Sequence, residues 1–180
     1  MFIGVIYAKR ASDDAFGCSK GLVWPTIKED IAHFKQVTKN NVVIMGYLTF
    51  LSLHSKPLPH RVNIVITHNR QQEHIEHVIF VHSLAEAVQI LSVMDSTRTL
   101  QWWIIGGCNL IYEALRLQIP STVYRTLVLD NDSTVDKDDP TSMIYLKSDD
   151  TLLQANFCLK KSDISKDGKC IFEMYIYKKD

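Results

Sequence analysis

Short apolar, β-branched-rich runs recur along this chain at 2–8, 42–45, 62–66, 78–80, 101–105 and 123–129. Each has the length and composition of a strand. Helical spacing fills most of the gaps. Over 83–91, Leu84, Ala87, Val88 and Leu91 share one face, and Ser83 with Glu86 forms a capping box. Shorter helices are predicted over 47–53 and 109–117. Over 26–34, Ile27, Asp30, Ile31 and Phe34 fall at i, i+3, i+4 and i+7, with Thr26 and Glu29 as a second capping box. Strands alternating with helices predict an α/β fold: a mostly parallel sheet covered on both sides. The tail differs. Strand-like runs at 155–161 and 170–178 flank a polar stretch holding Asp167-Gly168, which predicts an antiparallel hairpin. The acidic, turn-rich stretch 130–150 is expected to be a surface excursion. No repeat or second domain interrupts the pattern, so 1–180 is expected to be one domain.

One position breaks the apolar stripe at 26–34. Asp30 directs a carboxylate where its neighbours call for burial, and an unpaired buried carboxylate is costly. Either a basic side chain from another segment meets it, or its partner comes from outside the chain.

Composition narrows the classes. The 180 residues are 46% hydrophobic, enough for one domain with a full core. Twenty basic side chains balance twenty acidic ones, which argues against a nucleic-acid surface. No run approaches a membrane span. The apolar start lacks the basic leader of a signal peptide. Cys18, Cys108, Cys158 and Cys170 show no close pairing motif, which fits a reducing, cytoplasmic compartment. The histidines show no metal-ligand spacing; His74 and His77 lie near Glu73 and Glu76 without a further ligand, and no metal is expected.

Two strand–glycine–helix junctions could serve a phosphate-bearing ligand. In Ile104-Ile105-Gly106-Gly107-Cys108-Asn109 a strand runs into a glycine pair and then a helix start, whose N–H groups are free donors. It is not the six-residue dinucleotide fingerprint, and no phosphate-binding lysine follows. A tight turn is the plainer alternative. Ile44-Met45-Gly46, followed by Thr49-Phe50, repeats the arrangement. Cys108 at a helix start would either have a lowered thiol pKa or simply be small enough to sit beside the glycines. Lys56-Pro57-Leu58-Pro59-His60-Arg61 sets Arg61 on a constrained turn, suited to gripping a carboxylate or merely exposed.

In order and spacing, these pieces resemble dihydrofolate reductase over nearly the whole chain. The matching segments are Ile6-Tyr7-Ala8, Gly21-Leu22-Val23-Trp24-Pro25, Asp30 with Phe34 and Lys35, Val43-Ile44-Met45-Gly46 with Thr49, and Pro57-Leu58-Pro59-His60-Arg61. Ile105-Gly106-Gly107, Tyr112, Thr126 and Phe172-Glu173-Met174-Tyr175 follow. The resemblance implies the single-domain reductase fold, NADPH as cofactor and dihydrofolate as substrate. It makes Asp30 the pterin-binding carboxylate, supported by Thr126 and, through water, by Trp24. Leu22, Phe34, Leu53 and Leu58 would line the substrate pocket with Lys35 beside it. Ile6, Tyr7 and Ile105 would form its floor, and Arg61 would hold the glutamate carboxylate. Ala8, Phe16, Gly17, Gly46, Tyr47, Leu48, Thr49, Ile105, Gly106, Gly107, Cys108, Asn109, Leu110 and Tyr112 would surround nicotinamide and pyrophosphate. Thr67, His68, His82 and Ser83 would meet the adenosine end. Segment 16–23 matches a mobile loop over the site. Antifolates such as methotrexate or trimethoprim are implied ligands.

The departures are specific. Tyr47 and Leu48 stand where a basic residue usually reaches the cofactor phosphates, leaving His68, Arg70 or His82 to compensate. His60 replaces a glycine, and a positive φ there would cost roughly 1 kcal/mol. Val23 replaces a proline and Phe50 a frequent tryptophan. Gly107 and Tyr112 are one residue further apart than in most members; that spacing and Phe50 are shared with some bacteriophage reductases, which is compatible with a viral source. Two rival readings accompany the enzyme: a reductase-like binding or structural component without turnover, and a riboflavin-pathway-type reductase. The second gives no reason for Asp30 on an apolar face with Arg61 beyond it.

Overall fold

A computed structural model of the chain describes residues 2–18, 21–69, 74–95, 99–129 and 142–178. Its strands are β1 (Phe2–Arg10), β2 (Ala15–Gly17), β3 (Val42–Gly46), β4 (Val62–Ile66), β5 (Val78–Val81), β6 (Gln101–Gly106), β7 (Thr122–Val128), β8 (Ile144–Tyr145), β9 (Phe157–Ile164) and β10 (Cys170–Tyr177). The helices are α1 (Lys28–Thr38), α2 (Tyr47–Ser52), α3 (Leu84–Met94), α4 (Cys108–Arg116) and α5 (Asp149–Asn156). Eight strands form one sheet in the order β5-β4-β3-β6-β1-β7-β10-β9; β2 and β8 pair separately. Pairing is parallel from β5 to β7, whereas β10 runs antiparallel to both β7 and β9. The alternation of strands and helices, and the tail hairpin, are as the apolar pattern requires.

The two sheet faces carry different cores. One holds Val5, Ile44, Ile64, Ile104 and Val123 against α3 and α4 through Leu84, Ala87, Leu91, Ile111, Ala114 and Leu115. The other carries two smaller clusters. Val43, Met45, Phe50 and Val65 pack around α2, while Val23, Trp24, Ile27, Val128 and Cys170 pack beyond β7. β6 and β1 run between these clusters in the sheet order. The close approach of Trp103 to β1 requires glycine at position 4, because a Cβ there would lie 2.3 Å from the indole ring.

Three expectations need correction. α1 starts at Lys28 with Ile27 as its N-cap and no side-chain cap, so Thr26 and Glu29 form no capping box. Glu29 instead accepts the backbone N–H groups of Lys166 (3.0 Å) and Asp167 (3.2 Å), binding α1 to the hairpin turn. Ser83 does cap α3, accepting from Glu86 N at 3.1 Å, with Glu86 returning to the N–H of His82. Secondly, 155–161 is not all strand, since α5 occupies its first two residues. Thirdly, the stretch 130–150 is no mere surface excursion over its described part. Leu146 and Asp149 are fully buried; 130–141 lies outside the described residues.

Asp149 enters a buried ionic network. Lys9 Nζ reaches Asp149 (2.6 Å), Asp14 (2.8 Å) and Asp150 (2.9 Å). Arg125 pairs with Asp149, Asp150 and Glu173 and donates to the Tyr175 hydroxyl, while Tyr7 donates to Asp149 at 2.6 Å. Asp14, Asp149 and Asp150 lie within cation-binding distance of one another, but the Lys9 ammonium sits among them. No described helix is long and apolar enough to cross a membrane.

Candidate functional site

Strand register decides which side chains share the seam between the small clusters. Ala8 pairs with Thr126, and Thr126 with Phe172, placing all three on one face together with Ile6 and Tyr124. α1 crosses this face, and the Thr126 hydroxyl hydrogen-bonds the Asp30 carboxylate. Burial pushes the Asp30 carboxyl above its usual range, and the Thr126 bond only partly opposes it. Asp30 is half-buried, and no basic side chain among the described residues pairs with it. Of the two partners open from sequence, a structural cation is absent among those residues. Trp24 is 5% exposed, and its Nε1 is buried without a hydrogen-bond partner.

The stripe around Asp30 is only partly buried. Ile27 is covered, Phe34 is half-covered, and Ile31 is exposed. Leu53, Leu58 and Ile105 pack against the cluster around Phe50, and Leu22 is 61% exposed on the loop after β2. Lys35 is exposed. Tyr7 is a correction: adjacent strand residues face opposite ways, so its side chain leaves the expected pocket floor for Asp149 on the far face. Ile6 keeps its side chain on the Asp30 face.

Arg61 stands at the far end of α1. Its Nε donates to Thr38 Oγ1 and its Nη1 to the Pro59 carbonyl, both at 2.9 Å, and its guanidinium carbon lies 5.7 Å from the Phe34 ring centroid. These acceptors are neutral, and no carboxylate among the described residues answers its charge. The preceding His60 has φ 58°, the left-handed conformation that glycine tolerates better.

The second half of the site lies where β3 and β6 end side by side. The chain leaves β3 toward β4 on one side and leaves β6 toward β7 on the other, the topological switch at which open α/β sheets form a crevice. Gly46 and Gly106 close those strands, and the Gly106–Gly107 peptide is cis. A Cβ on Gly106, at φ +152°, would meet Thr49 Oγ1 at 3.0 Å; one on Gly107 would meet it at 3.2 Å. The glycines thus let two helix starts approach each other, and the start of α4 carries no side-chain cap.

Other expected residues are distributed around this crevice. Tyr47 and Leu48 open α2, and Leu48 is 77% exposed. Phe16 packs against the main core, and Gly17 is buried in β2. Thr67 is buried at the end of β4; its carbonyl accepts from His82 Nδ1 at 3.0 Å, with His68 and Ser83 exposed beside it. Arg70 lies outside the described residues, as do Ser19 and Lys20 of the loop. Cys108, Asn109 and Tyr112 share a groove of about 480 Å³ with Tyr145 and Lys147. Burial, then Asp149, pushes the Cys108 thiol up, so its position at a helix start does not activate it. Leu110 needs correction, since its side chain is buried in the main core and only its backbone can serve the crevice. One residue beside the site escaped the sequence reading. His33, one turn after Asp30, packs against Phe172 and Tyr124; its only signal was its spacing of three residues from Asp30.

The sequence profile of the family described as dihydrofolate reductase matches residues 2–144. The chain is 36% identical over 112 residues to the bifunctional dihydrofolate reductase-thymidylate synthase of Paramecium tetraurelia, covering 62% of this chain and 23% of that protein. It is 30% identical over 135 residues to a putative dihydrofolate reductase of human herpesvirus 8, with 69% and 64% covered. The first two relatives are thus matched over less than two thirds of their own length. A putative dihydrofolate reductase of Caenorhabditis elegans is 33% identical over 134 residues, with 67% and 70% covered. In fold, the chain superposes on dihydrofolate reductase from Enterococcus faecalis, solved with NADP(H) and RAB-propyl, with a TM-score of 0.72 at 22% identity over 99% of this chain and 97% of that one.

Proposed function

We propose, because this chain belongs to the dihydrofolate reductase family, that it reduces 7,8-dihydrofolate to tetrahydrofolate in the cleft beneath α1. One observation carries the reading: Asp30 is half-buried with a neutral hydroxyl as its partner, leaving an acceptor edge for the donors of a flat heterocycle. A pterin presents such donors in its 2-amino group and ring nitrogen. The raised proton affinity of Asp30 strengthens its hydrogen bonds to them and favours retention of a proton at the site. We assign the N5 proton to water. Trp24 Nε1 offers a donor to hold a water against the carboxylate. Arg61, charged and answered only by neutral acceptors, is assigned to the glutamate carboxylate of the substrate.

The crevice fits a dinucleotide, because Gly46, Gly106 and Gly107 leave space that a Cβ would fill beside the start of α4, whose first N–H groups have no side-chain cap. NADPH, when bound, supplies the hydride for pterin C6. Gly106, Gly107, Cys108 and Asn109 would hold its pyrophosphate through backbone groups, with Ala8 and Ile105 at the ring and Thr67, His68, His82 and Ser83 at the adenosine end. The chain contributes alignment of two rings and exclusion of water. Tyr47 and Leu48 offer no cation to a phosphate, so His68, Arg70 or His82 would have to supply that contact. We place the enzyme in the cytoplasm, with residues 1–180 as one domain, and expect methotrexate and trimethoprim to compete for the Asp30 cleft.

Loss of reduced-nicotinamide absorbance with dihydrofolate, run in parallel with NADPH and NADH, tests this. Turnover with NADPH is expected. Absence of turnover with either cofactor would overturn the enzymatic reading, and methotrexate binding under those conditions would favour a retained pocket without chemistry.

A further inference from the structure

The helix that carries Asp30, α1, starts without a side-chain cap, and within it only Thr38, at the far end, is fully buried. Its N-cap Ile27 packs in the cluster of Trp24 and Cys170, and His33 rests on the rings of Phe172 and Tyr124. Apolar contacts of this kind are non-directional and leave a helix able to roll about its axis. Asp30 needs that roll fixed, because its hydrogen bond with Thr126 depends on direction.

Successive residues of a helix point about 100° apart, so Glu29 and Asp30 address two different elements at once. Asp30 meets Thr126 on β7. Glu29 Oε2 accepts from Lys166 N at 3.0 Å and Oε1 from Asp167 N at 3.2 Å, in the turn between β9 and β10. One carboxylate thus spans two consecutive backbone N–H groups, which fixes direction as well as distance. The turn is shaped by bonds of its own. Ser165 Oγ donates to Asp167 Oδ1 (2.6 Å) and accepts from Cys170 N (2.9 Å). Lys169 N donates to Asp167 Oδ1 (3.0 Å), and Gly168 N to the Ser165 carbonyl (2.9 Å). The N–H groups of 168, 169 and 170 are therefore used inside the turn, whereas those of 166 and 167 go to Glu29.

These contacts close a ring. Three residues after Asp167, Cys170 begins β10, and Phe172 of β10 is the register partner of Thr126. Leu129, just beyond β7, donates its N–H to the Lys169 carbonyl at 2.8 Å, so the turn and β7 are bound to each other directly. The element that grips Glu29 is thus the one that places the hydroxyl partner of Asp30. At the other end of α1, Arg61 holds Thr38.

We propose that Glu29 is a positioning residue for Asp30: by gripping the β9–β10 turn it sets the roll of α1 that brings the Asp30 carboxylate to Thr126 and presents its remaining acceptor edge to the substrate. The proposal rests on the reductase reading for its kinetic consequence only. Losing the Glu29 bonds would free the first turn of α1 while Arg61 and Thr38 keep the last.

Two variants separate the grip from the charge. Glu29→Asp keeps a carboxylate in the first helical turn but is one methylene too short for the two N–H groups. Glu29→Gln removes the charge and keeps one acceptor oxygen. Amide hydrogen exchange, followed by NMR on the whole protein, reads the grip without substrate. In Glu29→Asp, exchange should quicken on the order of tenfold or more at Lys166, at Asp167 and at Ile31, whose N–H donates to the Ile27 carbonyl at 3.1 Å. Unchanged exchange, or a change at 166 and 167 that leaves Ile31 as it was, overturns the proposal whether or not the protein turns over dihydrofolate. Steady-state kinetics is the second measurement. Glu29→Asp should lose on the order of tenfold in kcat/KM for dihydrofolate at unchanged NADPH affinity, and Glu29→Gln should lose less. A residue that only stabilises the fold would lower the melting temperature and leave kcat/KM as it was, which counts against the proposal. A larger loss in Glu29→Gln than in Glu29→Asp would assign the effect to charge and overturn it too. Absence of turnover in the unmodified protein would sink the reductase reading and leave the exchange result to decide this one.

Discussion

Asp30 works against the stability of the fold that holds it. Its carboxyl titrates above its usual range, so the folded state binds the proton more tightly than the unfolded chain does. The sign is then fixed: the penalty is fully present above the folded pKa and disappears as pH falls through it. Asp30→Asn, which keeps a hydrogen-bonding side chain at Thr126, should raise the midpoint temperature at pH 7 while abolishing most turnover. A thermal melt at pH 7 and again at acid pH checks this, and the gain should shrink at the lower pH. The carboxylate was legible in the sequence because a single charge interrupted an apolar i, i+3, i+4, i+7 stripe. The facing of Tyr7 is legible too, since strand alternation turns it to the face opposite Ile6. His33 was not, because its meaning depends on Phe172, which lies far along the chain on an antiparallel strand.

Among the elements, the junctions of β3 with α2 and of β6 with α4 depend on backbone closeness. Gly106→Ala would put a Cβ at 3.0 Å from Thr49 Oγ1 at a φ that side chains rarely adopt. NADPH affinity, measured by titration calorimetry, should fall on the order of tenfold or more, with the far sheet core unaffected. Arg61 ties the end of α1 to the loop before β4 through Thr38 and the Pro59 carbonyl. Arg61→Leu should raise KM for dihydrofolate on the order of tenfold to a hundredfold, the range lost with a charge-assisted hydrogen bond, and leave kcat nearly unchanged. Steady-state kinetics at saturating NADPH separates the two. The strand–glycine–helix pattern exposed both junctions, since glycine has few other reasons to end a strand. The helix start at Lys28 was not exposed, because Glu29 satisfies a hairpin turn more than 130 residues away. Local capping rules cannot register such a competitor.

At the scale of the molecule, the face opposite Asp30 is held by charge as well as by apolar packing. Lys9, Arg125 and Asp149 are 2%, 5% and 0% exposed and belong to β1, β7 and the first turn of α5. Removing one member strands the others, so Arg125→Leu should cost about 3–5 kcal/mol in urea unfolding. Burial raises the Asp150 carboxyl, but its bonds from Arg125 and Lys9 more than offset this and hold it below the usual range. A depressed carboxyl contributes stability above its unfolded value, near 4, and loses it as pH falls through the folded value. Urea midpoints should therefore drop below about pH 4, and Asp150→Asn should flatten that drop. The mostly parallel character of the sheet followed from the alternation of patterns, whereas the strand order came only with the structure. The network did not, because its central acids, Asp149 and Asp150, lie in a stretch whose composition is that of a loop while both cations sit inside apolar strands. The most direct test of the account is kcat/KM for dihydrofolate of the unmodified chain beside Asp30→Asn, with NADPH affinity measured on both. A loss of about a hundredfold or more at unchanged NADPH affinity is expected, and near-equal kcat/KM values would contradict it.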